Sequence, residues 1–259
     1  MTRLPAILLA AFALAASTGC QTLREDQRSL LVDGERAYQA DQYEAAIERL
    51  TRFMAQVQDH PETARALYVR GMAQARAGHR PQAYSDLRRA AISAHDTAVA
   101  WRAFAVLGVL SFEDEDWIAA TDSFTRAVGQ MPSLPPMDAL LYRLGLCHER
   151  TGRWADALTA YRRIVSAFPA GRYAARADRR LQIQANCFAV QVGVFSRQDG
   201  ALRQVGQLAD DGLEAYVRRE LRDNELHHVV LVGRYESYSQ AVAAVVRVRA
   251  HVPTAQLWP

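Results

Sequence analysis

The 259-residue sequence predicts a multi-domain chain: an all-α solenoid of helix pairs, followed by a small α+β domain of order βαββαβ. Two observations predict this. Gly34, Gly71, Gly108 and Gly145 each stand 37 residues after the one before. Near the C-terminus the apolar run Phe188–Phe195 (FAVQVGVF) is echoed at Val229–Tyr235 (VVLVGRY), and a polar break and a helix-like segment follow each.

Residues 27–185 hold the repeats. The same step links Ala46, Ala83, Ala120 and Ala157, and also Leu50, Leu87, Phe124 and Tyr161. A small residue on each helix lets the two approach closely. The large residue four after the Ala lies one turn on, on the same face. Ala77-Gly78 and Thr151-Gly152 mark turns between paired helices, and Tyr43, Arg80, Trp117 and Trp154 open the second helices. Pro132 and Pro169 close the last two units, because proline cannot continue the hydrogen-bond ladder. Within the acidic run Glu113–Asp116, Asp116 is placed to cap a helix. Arg172 to Gln184 reads as a terminal helix, with Ala174, Ala177, Leu181 and Ile183 covering the last repeat.

Residues 187–259 read as the second domain. In the first strand Phe188, Val190, Val192 and Val194 share one face, and Ala189, Gln191 and Gly193 the other. A helix over 199–211 follows, with Leu202, Val205 and Leu208 inward. Strands over Glu214–Leu221 and His227–Val232 flank a turn at Asp223-Asn224. A helix from Ser237 to Ala250, capped by Ser237 or Ser239, leads to a last strand at Thr254–Trp258. The expected product is a four-stranded antiparallel sheet with two helices on one face and the other face open.

Residues 1–19 have the layout of a secretory leader: Arg3, an apolar stretch from Leu4 to Ala16, and Ser17-Thr18-Gly19 before Cys20. That stretch falls short of the ~20 residues a spanning helix needs. Composition excludes other classes. The formal charge is only +3, there is no dense basic run, and all 31 cations are Arg, so nucleic acid is not indicated. Cys147 and Cys187 could pair or stay as buried thiols. His227-His228 is the one cluster suggestive of a metal, but adjacent strand residues point to opposite faces. An enzyme is therefore not expected, and no metal or cofactor is implied.

The run Leu144, Gly145, Trp154, Ala157, Tyr161 and Pro169 resembles the tetratricopeptide repeat, with Ile164 where that family has a later Ala. The resemblance implies a groove for a protein or peptide of the envelope, for which Tyr68, Arg70, Arg143 and His148 are candidate lining residues. VQVGVFS, the GLEAYV strand, VVLVGRYES and the helix at Tyr238–Ala241 resemble the SPOR domain. That resemblance implies binding of peptidoglycan glycan strands stripped of stem peptides, on the open sheet face and its edge. By position the candidates are Gln191, Gly193, Ser196, Tyr216, Arg218, His228 and Tyr235. Where the family often opens the third strand with an aromatic residue and Arg, this chain has His228-Val229. The residues before Cys20 resemble a bacterial lipobox. This implies lipidation of Cys20, a tether over 20–26, and an outer-membrane lipoprotein facing the periplasm of a Gram-negative bacterium. The combined expectation is a non-enzymatic envelope protein of cell division or wall remodelling. The alternative is a scaffold lipoprotein for envelope assembly whose tail does not bind glycan.

Overall fold

A computed structural model describes residues 22–58, 60–222 and 225–259. The expected leader and lipidation site at Cys20, and the turn at Asp223-Asn224, lie outside the described residues.

Four helix pairs form the array: α1 (Glu25–Gln39) with α2 (Tyr43–Gln56), α3 (Pro61–Ala77) with α4 (Arg80–Ser93), α5 (Thr97–Glu113) with α6 (Trp117–Gln130), and α7 (Met137–Arg150) with α8 (Trp154–Ala167). Tyr43, Arg80, Trp117 and Trp154 are each the first residue of a second helix, as the spacing predicts. Asp116 accepts from the Ala119 amide at 3.0 Å and caps α6. Gly78 and Gly152 take the left-handed conformation at the turns, φ 87° and 73°.

The glycine register is a packing register. A Cβ on Gly34 would stand 2.7 Å from Leu50 Cγ, one on Gly71 2.8 Å from Leu87 Cγ, and one on Gly108 2.5 Å from a Phe124 ring carbon. Gly145 meets the Tyr161 ring in the same way. Each partner is fully buried, as are Ala46, Ala83 and Ala120. The missing side chain on one helix is filled by the large residue of the other, at close-packed density. Helix α9 (Ala174–Ile183) starts 37 residues after α7, so it occupies the place of a next first helix. Ala177 and Leu181 pack onto the array core as expected. Ile183 does not: it points the other way, into the second domain.

That domain runs β1 (Phe188–Phe195), α10 (Gln198–Asp210), β2 (Ala215–Arg222), β3 (Glu225–Tyr235), α11 (Tyr238–Val248) and β4 (Gln256–Trp258). The sheet is antiparallel, in the order β2-β3-β1-β4. Val190, Val192, Val230 and Val232 face the helices and pack on Ala201, Leu208, Ala244, Val245 and Val248. Ser237 is the α11 cap, accepting from the Gln240 amide at 3.2 Å. Leu202, expected inward, is exposed, and its neighbour Ala201 is buried in its place.

Strict alternation fails in β1. Its register against β3 shifts between Gln191 and Gly193, so Gly193 pairs with Val230 and Val194 with Val229. An extra residue in one strand turns every later side chain over. Val194, expected in the core, is 39% exposed, and Gly193, expected on the open face, points at the helices, where a Cβ would collide with Gln204.

The glycine register yields a test by denaturant unfolding. Gly108→Ala should destabilise the array by about 1–3 kcal/mol, because the buried Phe124 ring has nowhere to go. Gly129→Ala, on an α6 surface with nothing within 4 Å of the new Cβ, should instead stabilise by about 0.5–1 kcal/mol.

Candidate functional site

The sheet face away from α10 and α11 carries Ala189 and Gln191 from β1, Tyr216, Arg218, Glu220 and Arg222 from β2, Val229 and Leu231 from β3, and Trp258 from β4, as the strand pairing requires. It was expected to be open and it is largely covered. Ile183 and Ala185 form one apolar cluster with Ala189, Val229, Leu231 and Trp258, and Trp154 and Tyr216 pack at its margin. The covering follows from the array: α9 ends directly before β1, so the last helix of the solenoid is laid along β2.

Aromatic side chains fix the rest of the junction. Trp154 lies 4.9 Å from Phe188 between ring centroids, and Trp117 meets Tyr238 edge-on at 5.8 Å. The Arg150 guanidinium sits 3.8 Å from the Tyr238 ring centroid and 5.1 Å from that of Trp117.

Beneath the cover lies a buried charge network. Glu220 accepts from Trp258 Nε1 at 2.7 Å and pairs with Arg222 at 2.8 Å. The Arg218 guanidinium donates to the Ile183 carbonyl and lies over the Trp258 ring at 4.8 Å. Burial raises the Tyr216 hydroxyl pKa. One edge of the face stays uncovered. There Gln191 is half-buried and its Oε1 accepts from Arg222 Nη2 at 3.0 Å. Gln191, Arg222, Gln256 and Trp258 form one wall of a cleft of about 280 Å³, and Tyr142, Arg176, Arg179 and Arg180 form the other. Arg180 is held by Glu149 at 3.0 Å. Burial pushes the Glu149 carboxyl up, against the pull of Arg180.

Of the seven glycan candidates, the sheet places Gln191, Tyr216 and Arg218 on this face, and two of these are engaged under the cover. His228 and Tyr235 lie with the helices: His228 is buried opposite Phe195, and Tyr235 packs on the helix-side core. Both share the parity of Val230 and Val232, or its shifted equivalent, so neither can reach a strand on the other face. Gly193 is turned over by the bulge. Ser196 is exposed in the bend after β1. The arginines of α9 were missed, although the 37-residue step places Arg179 in register with Tyr142 and Arg180 with Arg143.

The array has its own groove. The first helices α1, α3, α5 and α7 touch in series, and Tyr38, Met72, Arg76, Val106, Val109 and Leu140 line a hollow of about 560 Å³ between them. Arg143 shares the register of Val106, and Tyr68 that of Ala105, which also lines it. Tyr68 itself is half-buried against the array core. Arg70 and His148 do not belong to the groove. Arg70 turns to α4, where it pairs with the buried Asp86 at 2.6 Å, and His148 lines a hollow between α6 and α8. Burial lowers the His148 pKa. Cys147 and Cys187 are free and buried, and burial pushes the Cys147 thiol up to about 12. Among the described residues no group of three or more His, Cys, Asp or Glu could hold a metal ion, and no helix is long and apolar enough to cross a membrane.

The covering is testable. Ile183→Asp places a carboxylate in an apolar cluster, at a cost of several kcal/mol if the cluster stays closed. The variant should open the junction rather than pay it. Backbone amides of 215–222 should exchange at least tenfold faster, and protease should cut within 184–187. Unchanged exchange would show that Ile183 does not hold the cover.

Comparison with known proteins agrees with this division. Residues 185–257 match the SPOR domain family model, and residues 32–83 and 138–170 match tetratricopeptide repeat models. A tetratricopeptide repeat protein from Parabacteroides merdae is similar to 62% of this chain and 60% of its own, with 16% identity and a TM-score of 0.54. A MamA fragment from Desulfovibrio magneticus RS-1 is similar over 63% of this chain and 85% of its own, with 16% identity and a TM-score of 0.50. Another MamA structure matches 62% of this chain and 81% of its own, with 21% identity and a TM-score of 0.50. At these identities the likeness shows the fold of the array alone. No curated protein matches the chain. The chain is a tetratricopeptide-repeat array that carries a SPOR domain at its C-terminal end.

Proposed function

We propose that this protein is a non-enzymatic adaptor of the bacterial envelope. Its SPOR domain binds peptidoglycan glycan strands stripped of stem peptides, its repeat groove holds a partner protein or peptide, and a lipid on Cys20 anchors it in the outer membrane, facing the periplasm of a Gram-negative cell. Cell division and wall remodelling are the processes in which such strands are made. The observation that carries the glycan reading is the SPOR match over 185–257, with Gln191 at the uncovered edge. Its Oε1 is engaged by Arg222, which leaves the side-chain NH2 to donate to sugar hydroxyl and acetamido oxygens.

A second reading is favoured by one observation: Ile183, Trp154 and Trp258 occupy most of the face on which a strand would lie. In that reading the chain is a scaffold for envelope assembly, and its tail is a protein-binding or purely structural module.

Sedimentation of the full chain with purified sacculi separates the two. Amidase-treated sacculi should retain the chain and untreated sacculi should retain much less, while Gln191→Ala should weaken retention about tenfold. Absence of binding to amidase-treated sacculi would favour the scaffold. The anchor is tested independently: Cys20→Ser should move the protein from the membrane fraction to the soluble periplasmic fraction and abolish palmitate labelling.

A further inference from the structure

The cleft at the open edge of the sheet is built by two domains, and its charge comes from the array. Four arginines line it, Arg176, Arg179, Arg180 and Arg222, and no Asp or Glu does; the α-carboxylate of Pro259 at its rim makes no ion pair with any of them. Two of the four are committed elsewhere: Arg180 to Glu149, and Arg222 to Glu220 and Gln191. Arg176 and Arg179 are exposed and have no carboxylate partner among the described residues; Arg176 lies only near the Tyr173 ring, at 5.9 Å. Two unpaired guanidinium groups, three residues apart on one helix, face a wall that carries Gln191, Gln256 and the Trp258 ring.

We propose that this cleft is a carboxylate-reading glycan subsite, with Arg176 and Arg179 of α9 taking the lactyl carboxylates of muramic acid units while Gln191 and Gln256 meet the neighbouring sugar. This rests on the glycan reading given above and names what the site distinguishes. In an intact strand each lactyl group is an amide to the stem peptide. Hydrolysis of that amide by water gives a free peptide amine and a free lactyl carboxylate, so a denuded strand carries one new anion per disaccharide. Guanidinium groups match carboxylates with two parallel N–H donors, a geometry that a neutral amide cannot satisfy in the same way. The array therefore supplies the discrimination and the SPOR sheet supplies the sugar contact. A sheet face mostly covered by α9 is compatible with binding at its edge, because the covering helix is itself half of the site.

The test uses the full chain and two glycan probes: amidase-denuded strands, and the same strands with their carboxylates converted to methylamides. The unchanged chain should bind the denuded strands about tenfold more tightly than the methylamide strands. The double variant Arg176→Gln/Arg179→Gln alters two exposed positions and should keep its unfolding midpoint. It should bind denuded strands about tenfold more weakly and lose the preference between the probes. Denuded-strand binding that is indifferent to methylamidation, or a double variant that keeps the preference, overturns the subsite and leaves the glycan reading standing. Failure of the unchanged chain to bind either probe overturns both.

Discussion

Glu220 is almost completely buried, and leaving a buried carboxylate without its partners is strongly destabilising. Its two oxygens are taken by Trp258 Nε1 and by Arg222, with Arg218 3.9 Å away. These bonds hold the Trp258 side chain, which starts from β4 at one edge of the sheet, over the face toward β2 at the other. The Arg218 guanidinium lies over that ring and donates to the Ile183 carbonyl at the end of α9. The last helix of the array is thus tied to the sheet through a chain of groups that begins with one carboxylate. Arg222, held by the same carboxylate, is also the donor that orients Gln191.

Where a sequence feature is enforced by local geometry, it can be read without a structure. The glycine step was legible because each glycine has one partner sixteen residues on, and no side chain fits between them. The strands and helices of the tail were legible from their periods, and Asp116 and Ser237 from capping chemistry. The site was less so. The bulge at Gln191–Gly193 leaves no mark in an apolar pattern that continues across it, yet it decides which face carries Val194 and Gly193. The covering of the sheet depends on long-range packing: Ile183, two residues after Leu181, lies on the opposite face of α9, and that face meets the sheet because α9 is sandwiched between the two.

One repeat position shows how the array came to hold a second domain. Tyr43, Arg80, Trp117 and Trp154 occupy equivalent places, at the start of each second helix. Arg80 reaches forward to the next unit, pairing with Asp114 at 2.6 Å and Glu113 at 3.1 Å. Trp117 and Trp154 reach instead to Tyr238 and Phe188 of the SPOR domain. A position that links neighbouring units early in the chain becomes, as tryptophan, an apolar seat for a different fold. Large flat rings suit this role because they bury much area at small cost in side-chain entropy.

The same register carries across into the cleft. Tyr68, Ala105, Tyr142 and Arg179 are successive equivalents, 37 residues apart, on α3, α5, α7 and α9. Ala105 lines the repeat groove, Tyr142 and Arg179 line the cleft against the sheet, and α7 contributes to both, through Leu140 and Tyr142. The groove and the cleft therefore share one helix, α7. An occupant of the groove that extends toward α7 must approach the residues that wall the cleft. Any effect it has on occupancy there is returned in equal measure on its own affinity, since coupling between two binding sites is reciprocal.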